Sequence, residues 1–385
     1  HVLTVNMVDA SIGTVTISGT STAGQADGVT LTNVDSGTSV GMSGTTNMDL
    51  TVNYDATFLA GTGDAATLTL SSNTHGGAAN NDITYGAGIE TLTINSIGSA
   101  NLLGDIVWGG SALNVTGDQN LTIGDTLAVT AQDVDASGFS GRLSVVLPNS
   151  NDKANSAAGV DITDVTVTGG SGNDTIDVRL LDAGVEMDIK GGAGDDTIIF
   201  GVANLAVGTA TRTADSIDGG DGTDSIQTTT ALANSATAAA NSTVSNMEIL
   251  RVQDANTNSI TLNNIQSGLN QINLVLGSNG GTTVFPAGTD NVATISAANA
   301  GAYTATDTGT GTSDAITVQT ISTATVDMGA NNAFNFTGLE TVTIDTTTLA
   351  AAGADAMELD VSTITLTPDT GGTTTLNVTG TGTFH

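Results

Sequence analysis

The chain has 385 residues, with 39 acidic against 6 basic side chains and a formal charge of −33. That balance excludes the basic footprint of a nucleic-acid binder, and the absence of cysteine excludes disulfide staples. No run approaches the roughly eighteen consecutive apolar residues that a membrane-spanning helix needs.

Only five of the acids are glutamate (Glu90, Glu186, Glu248, Glu340 and Glu358), which leaves 34 aspartates. Aspartate belongs in turns and short cation-binding loops, whereas helical acidic proteins favour glutamate. Hydrophobic residues reach 38% and alternate along the chain, which argues against disorder; aromatics at 3% leave a thin, aliphatic core of the kind a β-solenoid has. So large a like-charge load repels itself, and bound divalent cations would relieve it. At a Kd of roughly 10⁻⁴ M, calcium near 1 mM adds about 1.4 kcal/mol per site. The chain opens at His1 without a basic-then-apolar leader, which fits a mature form, an internal piece, or a substrate of an exporter that reads no N-terminal signal.

Residues 1–155 read as a β-rich, solenoid-like region. Val5–Met7, Val15–Ile17, Leu68–Leu70, Leu92–Ile94 and Leu121–Ile123 each set apolar residues at period two, with polar residues outward. Gly76-Gly77 followed by Asn80-Asn81-Asp82-Ile83 looks like a lengthened cation loop, and Ala60-Gly61-Thr62-Gly63-Asp64 is a weaker one. His75, next to Gly76-Gly77, reads as a solvated loop residue. The polar stretch from Asn149 to Gly159, just after Pro148, is the boundary candidate.

Residues 156–255 hold the strongest signal. Gly169-Gly170-Ser171-Gly172-Asn173-Asp174-Thr175-Ile176-Asp177, Gly191-Gly192-Ala193-Gly194-Asp195-Asp196-Thr197-Ile198-Ile199 and Gly219-Gly220-Asp221-Gly222-Thr223-Asp224-Ser225-Ile226-Gln227 all fit the nonapeptide G-G-x-G-x-D-x-U-x, U being a large apolar residue. Calcium takes six to eight oxygen ligands from carboxylates and carbonyls. Glycine lets the loop turn its carbonyls inward, and the sixth-position aspartates (Asp174, Asp196, Asp224) supply charge. Ile176, Ile198 and Ile226 start a strand facing the core.

The loops begin at 169, 191 and 219, so each step is longer than a regular coil of about eighteen. This spacing predicts three loops stacked on one edge of a solenoid, with the surplus looped out and two inter-loop cation sites. Gly169, Ser171, Asn173, Asp177, Gly191, Ala193, Asp195, Asp215, Asp218, Gly219 and Asp221 are the further candidate ligands. Ordinary Gly/Asp turns between strands are the bland alternative. Thr228 to Asn241 reads as one short helix or a loop.

Residues 256–385 return to the strand pattern, as a β-rich region that can continue the preceding one: Ile260–Leu262, Ile272–Leu276, Ile316–Val318, Ile364–Leu366 and Leu376–Val378. Gly309-Thr310-Gly311-Thr312-Ser313-Asp314-Ala315-Ile316 is a degenerate cation loop. Leu349 to Leu359 is a short-helix candidate, with Gly353 against it. Ile89-Glu90-Thr91-Leu92, Met247-Glu248-Ile249-Leu250 and Leu339-Glu340-Thr341-Val342 share one plan, an apolar residue, a glutamate and a strand. Glutamate there belongs at a corner, bonding backbone donors or reaching a metal.

Three interrupted nonapeptides, the recurring apolar-Glu strand and a cysteine-free Thr/Ala/Gly/Asp composition together resemble the RTX-repeat, calcium-dependent surface-layer proteins of Gram-negative bacteria, which leave by type I secretion. The motifs cover about 160 to 255, and the run from Asp215 to Asp254 is closest. The resemblance implies an all-β parallel solenoid or β-roll, with Ca²⁺ held by Asp174, Asp196 and Asp224 and by loop carbonyls. It also implies an extracellular subunit that self-associates into a lattice or filament and contacts cell-surface polysaccharide, if at all, through a region not evident in this sequence. Gly380 to His385 departs from the family's acidic-then-apolar secretion signal.

The alternative is a segment of a large RTX adhesin, a binding module. A secreted RTX metalloprotease would need H-E-x-x-H, and the histidines are His1, His75 and His385. No P-loop occurs, and the expectation is a protein that is not an enzyme. Threonine pairs such as Thr91-Leu92-Thr93 lack the fixed spacing of an ice-binding ladder and fit the outer face of exposed strands.

Overall fold

A computed structural model describes residues 2–8, 12–19, 27–44, 48–59, 61–73, 82–124, 133–147, 164–181, 185–201, 215–235, 244–288, 290–296, 301–311, 313–320, 333–346, 358–359, 363–380 and 383–384. The 149–159 boundary candidate, His75 and most of the 76–83 loop lie outside them. The chain is an all-β, parallel β-solenoid: every named strand pairing is parallel, and helix among the described residues is confined to Thr230–Ser235 and a 3₁₀ turn at Leu262–Asn264. Two compact units divide it, one of residues 1–199 and 212–222, the other of 200–211 and 223–385. The division falls inside the 156–255 stretch.

Parallel strands need a crossover, and here the crossover is the rest of each coil. Coil length varies widely: Asn101 lies opposite Leu121 across a short coil, and Thr341 lies opposite Thr375 across a much longer one. Side chains alternate, so one residue in two faces inward and repeats at the same level in the next coil. In the first unit Leu92, Leu113, Val134, Val167, Ile189 and Ile217 stand directly opposite one another in successive strands. In the second, Ile226, Leu250, Ile272, Ala293, Val318 and Ile344 do the same. All twelve are buried. The second unit also packs Tyr303, Phe334 and Phe336 edge to face at 6.0 and 6.1 Å.

Most of the strands legible in sequence are present: Thr14–Ser18, Ala65–Ser71, Thr91–Ile97, Leu121–Ile123, Ala315–Thr320, Thr363–Thr367 and Thr375–Thr379. The strand expected over Ile272–Leu276 ends earlier, as Gln271–Leu274, because the chain turns at Gly277 (φ 71°) and leaves Leu276 exposed. Ile260–Leu262 is split between the strand Ser259–Thr261 and the 3₁₀ turn. Of the alternatives for 228–241, Thr230–Ser235 is a helix. Residues 349–357 lie outside the described set, and Glu358–Leu359, the end of that helix candidate, form a strand.

Candidate metal centre

The Gly/Asp loops stack as their spacing requires. Thr175 pairs with Thr197, one loop step on, and Gly192 pairs with Gly220, across the longer second step. Neighbouring parallel strands run about 4.8 Å apart, so equivalent loop atoms recur at that interval. Glycine is needed because the backbones touch. A Cβ on Gly169 would collide with the Gly191 carbonyl oxygen and lie 2.7 Å from Asp174 Oδ2; one on Gly191 would collide with the Gly219 carbonyl oxygen and Asp196 Oδ2. Carbonyl oxygens and aspartate carboxylates therefore line one column along the stack.

Asp174 and Asp196 are each 1% exposed. Asp174 Oδ1 accepts the Leu143 N–H and its Oδ2 the Gly170 N–H, both at 2.7 Å. Its own N–H donates to Asp196 Oδ1 at 2.6 Å. Each carboxylate thus braces the coil before it. Burial pushes the Asp174 carboxyl up, against the opposing pull of the Leu143 and Gly170 N–H groups and of the Arg142 charge.

The other candidates are spread around this column. Asn173 Oδ1 accepts the Asp195 N–H at 3.0 Å, and the Asp221 carbonyl accepts the Gly194 N–H at 2.8 Å, so the outer rim of the loops is tied together too. The Ser171, Asp195 and Asp221 side chains are exposed on that rim, and Ala193 stands opposite Asp221. Asp218 lies on the strand Ser216–Asp221 opposite Lys190. Asp215 accepts the Met187 N–H at 3.1 Å. Asp177 is engaged elsewhere, in a two-pronged ion pair with Arg179 at 2.6–3.0 Å. In the second unit Asp224 is fully buried and donates its N–H to Glu248 Oε2 at 2.7 Å.

That last bond belongs to a repeated device. Asp64, Asp224 and Asp314 donate their N–H groups to Glu90, Glu248 and Glu340 at 2.7–2.8 Å. The carbonyl of each aspartate accepts the N–H of that glutamate and of the residue after it, at 2.8–3.2 Å. These glutamates bond backbone donors, one of the two roles open to them. Each aspartate lies one coil upstream of its glutamate.

Sequence reasoning also missed Asp307 and Asp369. Asp307 and Asp314 flank the glycine loop of the second unit, and Asp369 approaches from the next coil: its Oδ1 lies 3.4 Å from where a Gly338 Cβ would sit, with the Asp307 carbonyl oxygen 3.6 Å from that point. Burial, and then the Asp314 carboxylate, push Asp307 up to about 6.

These oxygen-only donors suit a hard divalent cation rather than a soft one. Among the described residues no three acidic or histidine side chains gather closely enough to ligate one ion. A cation in the first-unit column would be held by Asp174 or Asp196 together with glycine carbonyls. Each carboxylate has about four lone-pair sites, so accepting two N–H bonds leaves capacity for an ion. No protein-family model, curated protein or solved structure matches the chain.

Proposed function

We propose that this chain is a structural subunit of a calcium-stabilised extracellular lattice or filament, of the kind the RTX-type surface-layer proteins form. The observation that carries the reading is the Asp174/Asp196 column, two buried carboxylates one coil apart, each beside a glycine carbonyl of the next loop. Buried like charges at such spacing are costly unless a counter-charge joins them. With 6 basic residues in 385, the chain has few of its own. Millimolar extracellular calcium provides one. Self-association rests on the resemblance to the surface-layer proteins.

The test is calcium addition to chelator-treated, purified chain, followed by light scattering and hydrogen exchange. The expected outcome is slower exchange at residues 169–199 together with growth of assemblies. Slower exchange with a persistent monomer supports the adhesin segment instead. Unchanged exchange in that stretch overturns both.

A further inference from the structure

We propose that the second unit holds a divalent, oxygen-preferring cation between Asp307 and Asp314, at a site separate from the Gly/Asp loops of residues 169–224. This goes beyond the lattice reading and stands whether or not that reading holds.

Asp314 is 5% exposed. Its Oδ1 accepts the Gly288 N–H at 2.9 Å, whereas its Oδ2 is buried and meets no N–H or O–H donor. Asp307 repeats the arrangement: Oδ1 accepts the Gly309 N–H at 2.8 Å, and Oδ2 is buried without a donor. Both donor-less oxygens converge. They lie 2.9 Å (Asp314) and 3.2 Å (Asp307) from the point a Gly309 Cβ would occupy, and a Gly311 Cβ would stand 2.6 Å from Asp314 Oδ2. Two glycines thus keep open the space into which the two carboxylate oxygens point.

A like-charged pair of this kind is settled by a shared proton, a basic side chain or a cation. The sequence removes the second option, because no lysine or arginine follows Arg251. Arg251 itself lies three strands away from Ala315–Thr320 in its sheet, roughly 14 Å at the usual strand spacing. A divalent cation between the two donor-less oxygens neutralises both carboxylates.

Cysteine is absent and the chain's last histidine before His385 is His75, so the donor set is oxygen alone and selects Ca²⁺-like ions over zinc or copper. Two carboxylates do not fill such a shell, and loop carbonyls and water complete it. A cleft lined by Gly311, Glu340 and Asp369 adjoins the pair, and its two extra carboxylates draw cations inward.

The experiment is hydrogen-exchange mass spectrometry on the full chain, with calcium chloride as the probe, reading the peptide that carries Asp314. At calcium ten times its Kd, exchange there slows about tenfold in the wild type. In Asp314→Asn the response disappears, while exchange without calcium is no faster than wild type, because the amide keeps the Gly288 bond and donates to Asp307. A purely structural brace predicts faster exchange in that variant without calcium, and would overturn the proposal. So would a wild-type peptide indifferent to calcium, or an Asp314→Asn peptide that still responds. If Asp314→Asn does not fold, Asp307→Asn, at the less buried partner, gives the same reading. Peptides carrying Asp174 and Asp196 are followed in the same run: a response there without one at Asp314 sinks this site and leaves the lattice reading intact, and the reverse result does the opposite.

Discussion

The loop column of the first unit and the carboxylate pair of the second use the same residues to different ends. At Asp174 both carboxylate oxygens accept backbone N–H groups, and the glycines beside it touch backbone across the coil. At Asp307 and Asp314 one oxygen of each is satisfied and the other faces its neighbour. The best match to the repeat pattern is therefore not where charge is least compensated. Motif regularity reports how closely coils must approach; need for a counter-ion reports how many donors the approach supplies.

The largest expected effect tests that close approach. Gly191→Val drives a side chain into the Gly219 carbonyl and Asp196. We expect a loss of about 3 kcal/mol or more, measured by guanidinium denaturation. Gly311→Ala meets only the end of the Asp314 side chain. It should cost about 1 kcal/mol or less while abolishing the calcium response of the Asp314 peptide. Equal losses in the two variants would erase the distinction.

Next comes Asp174→Ala, which strips the Leu143 and Gly170 N–H groups of their acceptor. We expect about 2–4 kcal/mol from two unsatisfied buried donors, with Asp174→Asn recovering part of it by retaining one acceptor oxygen.

A third test uses pH. Asp307 binds a proton more tightly in the fold than in the unfolded chain, so its contribution is fully present below the ordinary carboxylate range near 3.8 and is lost as pH rises through about 6. Calcium-free protein should lose stability across that window, and saturating calcium should flatten the slope. Asp174 shifts in the same direction. Comparing wild type with Asp307→Asn by thermal melting from about pH 4 to 7 isolates the Asp307 share, and identical slopes would refute it.

The smallest effect concerns the corner braces. Glu90→Gln keeps an acceptor for the Asp64 N–H and should cost about 0.5 kcal/mol, against about 1–1.5 kcal/mol for Glu90→Ala, both by denaturant midpoint.

The stacking of residues 169–227 was legible because glycine spacing records coil spacing directly: the intervals between the loops are the intervals of strand register in the first unit. Strand faces such as Leu92–Ile94 were legible from alternation. The Asp64–Glu90 type of bond was half legible. The glutamate announced itself by its strand, but its aspartate lies a whole coil earlier, and coils of unequal length hide such partners from any fixed period. Asp307 was invisible for a local reason. It precedes the glycine loop, outside the sixth position, and meets Asp314 only once the loop folds back. Arg179 likewise pairs with Asp177, a flanking candidate ligand whose partner the motif does not contain.

The unequal coils, short between Asn101 and Leu121 and long between Thr341 and Thr375, have a practical outcome. Because each rung bonds only to the rung above and below it, chain can be added or removed at a bend without shifting any other rung. Evolution can lengthen a bend to decorate the outer surface, and an engineer can graft a peptide tag or enzyme at the same places while the spine keeps its alignment.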